Sequence, residues 1–380
     1  MRALLKLLLS VALLISLLLV IVHWRYAGGE VFPDRTGIPE MSSDALEVVA
    51  NLDFPPGNIA VSSTGRIFAT LHPEARPDVN VVEIVDGKPQ PWPNMAFQDG
   101  IGERRYFRDV LSLRIDRQGR LWTLDNGFHG KDNGRLLAFD TATGEVVHEY
   151  TFPRSIAGLG SHLNDFQVMP NGHYIFIADA SFFAKTPAII VYDVRNKVAR
   201  RVLEGHESVE ADDYAPVVQG RKMTAFGLVT IRPGVDSIAL DRIGEWLYFA
   251  PVTDEFMHRI RSEDLLDLGL SADMLSARVE RFARKTMSDG ITTDRKGNIF
   301  ISDLEHSSIV MLGQDRKLRT LIKSDKLRWP DGFSFGPDGW LYVTCSSLHQ
   351  VIGLPPSSVK QHAPYQIYRF KAPHPGIAGH

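Results

Sequence analysis

The chain has a single cysteine, Cys345, so no intramolecular disulfide can form. At 380 residues it can bury a core large enough to do without one. It also lacks any Asn-x-Ser/Thr sequon, which excludes N-glycosylation. These two absences fit a bacterial periplasmic protein better than an animal secreted one. There is no excess of positive charge: 42 Lys and Arg stand against 45 Asp and Glu, for a net charge of −3. A nucleic-acid binder would be strongly basic on one face, so no nucleic-acid partner is expected. The sequence carries no Gly-rich phosphate loop, no Gly-x-Ser-x-Gly elbow and no His/Cys cluster at zinc spacing.

The most apolar part of the chain is its N-terminus. Arg2 and Lys6 precede a run from Leu7 to Val22, and His23, Trp24, Arg25 and Tyr26 follow it. A basic start followed by an apolar stretch is an export signature. Residues 3–24 can span a bilayer, with Lys6 reaching back to the interface. No clear small-x-small cleavage site follows and no lipobox cysteine is present. An uncleaved signal anchor is therefore favoured over a cleaved signal peptide. The basic end stays cytoplasmic and the rest is exported, periplasmic or extracellular. The expected organisation is a signal peptide or anchor over 1–27, a Pro/Gly-containing tether over 28–44, one folded unit over 45–372 and a tail over 373–380.

That unit is repetitive. A short strand, a turn centred on glycine and a second strand rich in aromatic and β-branched residues recur six times. The copies cover 58–70, 113–125, 165–179, 236–249, 289–303 and 331–344. Their glycines (65, 119, 172, 244, 297 and 339) lie roughly 40 to 70 residues apart, the length of a propeller blade. Third and fourth strands follow in most copies, which predicts an all-β, six-bladed β-propeller preceded by one hydrophobic helix. The sixth copy has a third strand at 366–370 but no fourth. The strand at 46–52 is expected to complete that blade and close the ring. A long polar connection runs from Glu204 to Thr230, and a short helix capped by Ser262 is expected over 263–268. The stretch Arg278 to Lys285 reads as the solvated face of an outer strand. Such a fold needs no partner to close, so a monomer is expected.

The repeats also carry family wording. Leu121-Trp122-Thr123-Leu124-Asp125-Asn126-Gly127, Arg135 to Asp140 and Tyr150 to Pro153 occur in the order found in royal jelly and yellow proteins. Leu163-Asn164-Asp165, Tyr174 to Asp179, Ile189 to Asp193 and Leu247 to Pro251 continue it. The chain resembles the major royal jelly protein/yellow family over roughly 58–351, without the paired cysteines and sequons of insect members. That resemblance implies small-amine binding, dopachrome-tautomerase-like pigment chemistry or a food-protein role. Fold likeness does not choose among them.

In a propeller the first strand of each blade lines the central channel. The residues at its start, Asn58, Ser112, Asn164 with Asp165, Asp236, Asp289 and Asp331, should therefore meet at one mouth. A single Asp-Gly before a strand is ordinary turn chemistry. Three acids and an Asn in phase around one axis repel one another unless protonated or neutralised by a cation. Oxygen-only donors suit a hard divalent ion, Ca²⁺ being favoured and Mg²⁺ the alternative. Ser288-Asp289-Gly290 and Pro330-Asp331-Gly332 also resemble motifs of the senescence-marker/gluconolactonase propellers. By that resemblance Asn164, Asp236, Asp289 and Asp331 are the candidate metal ligands, and the implied activity is hydrolysis of a lactone or related small carbonyl compound. Asp165 or His162 is the candidate catalytic base. Residues ending the second strands or in nearby loops, His72, Asp125, His129, Asp179, Asp303 and His306, are candidates for contacting a small-molecule substrate. The alternative is a non-catalytic binder in which the acids pair with a cationic amine. Cys345 reads as a buried strand residue without a nucleophile's partners.

Overall fold

The structure is a computed structural model that describes residues 2–99 and 106–379. The expected unit limits at Met1 and His380 lie outside the described residues. One helix, α1 (Arg2–Tyr26), has no buried residue and is long and apolar enough to cross a membrane. After it come six four-stranded antiparallel sheets, here called blades I to VI. Their innermost strands are Pro56–Val61, Val110–Ile115, Leu163–Val168, Val235–Leu240, Ser288–Thr293 and Pro330–Phe335. Each inner strand packs on the next, and the sixth packs on the first, so the sheets form a closed six-bladed propeller.

The sixth blade is closed by the two ends of the propeller. Its inner strand Pro330–Phe335 is followed by Trp340–Cys345 and Tyr365–Lys371. The fourth strand is Glu47–Leu52, which pairs antiparallel with Tyr365–Lys371 from Glu47 opposite Arg369 to Leu52 opposite Tyr365.

The core is divided rather than single. One apolar cluster fills each of the six junctions between neighbouring blades. Phe176, Ile189, Leu247 and Phe249, for example, join blades III and IV, and Phe300, Ile309, Phe333 and Phe370 join V and VI. A sheet covered on both faces has no solvent side, so the inner strands are buried throughout, except where Asn164, Asp289 and Asp331 face the cavity. The outermost strands, such as Val146–Thr151, keep partly exposed residues.

Every inner strand carries a register irregularity at the same level, near its start. A bulge adds an unpaired residue and re-aims its side chain. In blades I, V and VI a hydroxyl of the neighbouring strand takes over the freed backbone N–H. Asn58 donates to Thr70 Oγ1 at 2.8 Å, Gly290 to Ser302 Oγ at 2.7 Å and Gly332 to Thr344 Oγ1 at 2.9 Å. The glycines after Asp289 and Asp331 let blades meet near the axis. A Cβ on Gly290 would lie 2.1 Å from the carbonyl oxygen of Asp331, and one on Gly332 would lie 3.0 Å from Asn58 Cα.

Three local readings change. Residues 28–44, expected as a tether, lie along the propeller. Phe32 is buried in an apolar cluster with Met223 and Trp329, Arg35 pairs with Glu255, and Met41 N–H donates to the Leu321 carbonyl at 2.9 Å. The helix expected to be capped by Ser262 is Ser262–Leu266, with Arg261 at the cap position and no side-chain cap bond. Lys285 is not solvated but fully buried. Its Nζ donates to the carbonyls of Val252 (3.0 Å) and Thr286 (3.2 Å), and burial pulls its pKa down to about 8. The long connection also proves structured, as two two-stranded hairpins, Val217–Val218 with Arg221–Lys222 and Thr224–Ala225 with Val229–Thr230.

The bulges make a steric prediction. Gly290→Ala should lose about 2 kcal/mol or more, because it drives a methyl into the neighbouring backbone. Gly37→Ala, with open space and no positive φ, should stay within about 0.5 kcal/mol of the native chain. Urea unfolding of both variants is the check.

Candidate functional site: an acid-floored cavity on the propeller axis

The bulges set two rings of residues around the axis. The upper ring is Gly57, Leu111, Asn164, Asp236, Asp289 and Asp331, one from each blade, and all six line one cavity of about 250 Å³. Oxygen donors come from blades III to VI, while blades I and II contribute a glycine and a leucine. The ring is therefore a polar arc with an apolar gap.

The lower ring holds Asn58, Ser112 and Asp165 on blades I, II and III. Asn58 Nδ2 donates to Asp165 Oδ1 at 2.7 Å, and Ser112 Oγ donates to the same oxygen at 3.0 Å. Arg114, on blade II, pairs with Asp165 Oδ2 at 3.3 Å and also donates to Asn58 Oδ1. This network ties three blades together beneath the arc.

The arc is an electrostatic problem. Burial raises the carboxyl of Asp236 well above the usual range, and the charges of Asp289 and Asp165 add to it. Lys285 and the Asn164 amide offset part of this. Asp331 is raised well above its usual range by burial and then by Asp289, Asp165 and Asp236. Asp289 is pushed up to about 7 by burial, although the Trp329 indole N–H donates to it. Asp165 is raised by burial against the pull of Arg114.

These residues suit a hard cation in chemistry: three carboxylates and one amide, all oxygen-bearing. The Asn164 amide nitrogen donates to Asp236, which leaves its carbonyl oxygen as the end able to bind an ion. As the side chains stand, no group of three or more His, Cys, Asp or Glu among the described residues is gathered into a metal site.

Above the arc lie histidines. His162 and His129 stack at 4.6 Å between ring centroids, and His129 Nε2 is 3.5 Å from Glu74 Oε1. Burial pulls His162 down to about 3 and His72 to about 4. The His129 hydrogen bond holds Glu74 down at about 2. His72 Nδ1 accepts the Glu74 backbone N–H at 3.2 Å, so its ring proton sits on Nε2.

Of the residues expected to contact a ligand, His72 and His129 line the cavity, as does the candidate base His162, and Asp125, Asp179, Asp303 and His306 do not. Asp125 accepts the backbone N–H groups of Arg108 and Gly127, both at 3.0 Å, with Arg135 near it. Asp179 accepts from His162 N–H (2.8 Å), Ser181 N–H (3.0 Å), Ser161 Oγ (2.7 Å) and Arg201 (2.6 Å). Asp303 holds His306 at 3.0 Å, and His306 faces Asp34. These acids end second strands as expected, but their oxygens are taken by the loops beside them and, at Asp179, by Arg201 on the outer strand of the same blade. Asp165 is committed in the same way, to an amide, a hydroxyl and a guanidinium, so it is poorly placed to act as a free base.

The sequence reading missed the walls. Phe182, Phe183, Met223, Phe226 and Trp329 line the cavity, and Arg114 supplies a cation to the floor. An arginine inside the inner strand Val110–Ile115, whose other residues are apolar save Ser112, was the available signal for it. Cys345 is fully buried in the blade V–VI core, and burial pushes its thiol up to about 12.

Fold and site together define a β-propeller with a ligand-sized axial cavity, acidic below and aromatic above. The chain belongs to the major royal jelly protein family, whose profile matches residues 109–335. Major royal jelly protein 3 of Apis mellifera is 23% identical over 260 residues, 63% of this chain and 45% of the relative. Major royal jelly protein 1 of the same bee is 23% identical over 288 residues, 69% of this chain and 64% of the relative. The chain thus matches about half to two thirds of the length of these relatives. Among solved structures, a gluconolactonase from Xanthomonas campestris superimposes with TM-score 0.54 at 12% identity, covering 91% of this chain and 98% of that one. A calcium-binding protein, regucalcin, from Agrobacterium tumefaciens gives TM-score 0.55 at 14% identity, covering 87% and 97%. Identities this low establish the shared fold alone.

The raised carboxyls have a consequence for pH. A carboxyl whose folded pKa is raised holds its proton in the folded chain after the unfolded chain has lost it. Stability from these groups is complete below about pH 4 and is lost as pH rises through about 7. The melting temperature should therefore fall between about pH 5 and about pH 8. Calcium should restore it at the higher pH and do little at the lower, in thermal-shift scans of the full chain in detergent.

Proposed function

We propose that this protein is a divalent-cation-dependent hydrolase of a lactone or related small carbonyl compound, acting in the axial cavity. The observation that carries this reading is the arc of Asn164, Asp236, Asp289 and Asp331, buried on the axis with too little positive charge nearby to balance it. Those four residues would hold the ion. When bound, it would polarise a carbonyl oxygen as a Lewis acid. That a gluconolactonase and a calcium-binding regucalcin share the fold supports the reading without carrying it.

The chain's own groups fill the remaining roles. His72, with its proton fixed on Nε2, donates to the oxygen on which negative charge develops. His162 is neutral at physiological pH and takes a proton from the attacking water. Its backbone is pinned by Asp179, and its ring lies flat against His129. The water oxygen bonds to the carbonyl carbon, the ring C–O bond breaks, and the released alkoxide takes up the proton that His162 removed from the water. Asp165 holds Arg114 under the arc. The exported location expected for the propeller belongs to the same reading, through α1.

A second reading is favoured by the cavity walls. Phe182, Phe183 and Trp329 over three carboxylates would also suit an organic amine, stacked on the rings and paired with an acid. Binding without chemistry is then the outcome.

Acid release from a panel of γ- and δ-lactones, with calcium present, separates the two. Asp331→Ala and Asp289→Ala should each lower kcat/KM by about 100-fold or more. His162→Gln should lower it by about 100-fold with calcium affinity unchanged. Hydrolysis that survives EDTA and Asp331→Ala would sink the hydrolase reading. Stabilisation by amines with no turnover of any lactone would favour the second.

A further inference from the structure

The apolar helix and the roof of the cavity are joined with almost no slack. His23, in the last turn of α1, donates Nδ1–H to the Gly227 carbonyl at 2.8 Å. The Gly28 carbonyl, two residues past the helix end, accepts from Thr230 Oγ1 at 2.7 Å and from Arg232. Glu30 N–H donates to the Asp213 carbonyl at 2.8 Å, and the Glu30 carbonyl accepts from Ala215 at 2.9 Å. At Gly29 the approach is so close that a Cβ would lie 2.9 Å from Ala215. The contacts run from within the helix straight into the segment that covers the cavity.

This joint fixes where the mouth stands. Over 25 residues α1 is about 37 Å long, enough to cross a hydrocarbon core of about 30 Å. Its C-terminal end carries Trp24, Arg25 and Tyr26, the residue types that settle at headgroup level. Gly227 is bonded to His23, so the hairpin tip beside it lies at that same level. On the tip Phe226 is 87% exposed, and across the opening Phe183 is 63% exposed. Both also line the cavity. Exposed aromatic rings are poorly solvated by water and well placed at an interface. Lys222, also exposed on the roof, would face anionic headgroups.

We propose that the cavity opens onto the membrane surface, with Phe183 and Phe226 seated in the headgroup layer. Its ligand is then an amphipathic molecule drawn from that layer rather than from bulk water. The orientation does not depend on the hydrolase reading. The ligand class follows from the orientation and from the apolar walls, whichever chemistry the arc performs.

The test uses the full chain in liposomes of phosphatidylcholine and phosphatidylglycerol. Single spin labels go on Phe226→Cys, Phe183→Cys and Ser63→Cys, since Cys345 is buried and will not react. Ser63 is exposed in a turn at the far end of blade I. Labels at 226 and 183 should collide severalfold more with oxygen, and less with a water-soluble nickel chelate, than the label at 63. Equal nickel accessibility at all three sites would overturn the orientation. So would an intact mass from native membranes showing a chain that has lost residues 1–27. For the ligand class, thermal shifts are compared within two pairs, δ-dodecalactone against glucono-δ-lactone and octylamine against ethanolamine. The longer member of the binding pair should stabilise more. A short member that binds as well, or no binding in either pair, overturns the class and leaves the orientation standing. Which pair responds reports separately on the hydrolase reading.

Discussion

The pairing of Glu47–Leu52 with Tyr365–Lys371 holds the ring shut, and everything at the axis depends on it. A propeller blade is a sheet with two apolar faces, so none is stable until both neighbours are in place. Closing the last blade with the first strand turns six such sheets into a circle without an exposed junction. Only in a closed circle do the six bulged inner strands point at one line. The cavity is thus a product of long-range pairing, made by segments about 320 residues apart.

Crowding follows from that geometry. The inner strands approach so closely that glycine is required beside Asp289 and Asp331. Hydroxyl and amide groups bridge the ring from blade to blade: Thr70 to Leu111, Gln167 to Ile238, Ser237 to Asp289 and Thr344 to Gly57. Such a girdle keeps the carboxylates of the arc from spreading apart to relieve their repulsion. They are left with two remedies, a proton or a cation, and the raised carboxyl pKa values express that conflict. Arg114 eases the same conflict for Asp165 with a permanent charge, which sets that acid apart from the other three.

The fold was legible in the sequence because the repeat is dense in local signals. A glycine turn between two strands recurs six times, and the unpaired strand at each end of the propeller points to the closure. The residues opening the inner strands were legible by phase alone, and Asn164, Asp236, Asp289 and Asp331 do share one cavity. Phase was less reliable for Asn58 and Ser112. These two stand seven residues before their turn glycines, Gly65 and Gly119, where the other four stand eight, so they fall one level down and leave Gly57 and Leu111 in the upper ring. Asp125, Asp179 and Asp303 share a position on their blades, yet most of their hydrogen-bond partners come from loops whose paths no repeat encodes. The roof was illegible for a related reason. Residues 204–230 mix charged and apolar residues without a strand period, and apolar ones such as Val218, Met223 and Phe226 gain meaning only once the hairpins fold over the axis.

The gap in the polar arc has a further consequence. Six equal acids around an axis would present a ligand with the same face from every side. Here Gly57 and Leu111 break that rotational symmetry, while floor and roof break the symmetry along the axis. A ligand in the cavity therefore meets three directions that cannot be interchanged: along the axis from floor to roof, across it from acids to gap, and around the arc from the Asn164 amide to the Asp331 carboxyl. Three distinguishable directions are the minimum for telling a molecule from its mirror image. The site is built to be stereoselective before any particular contact is considered.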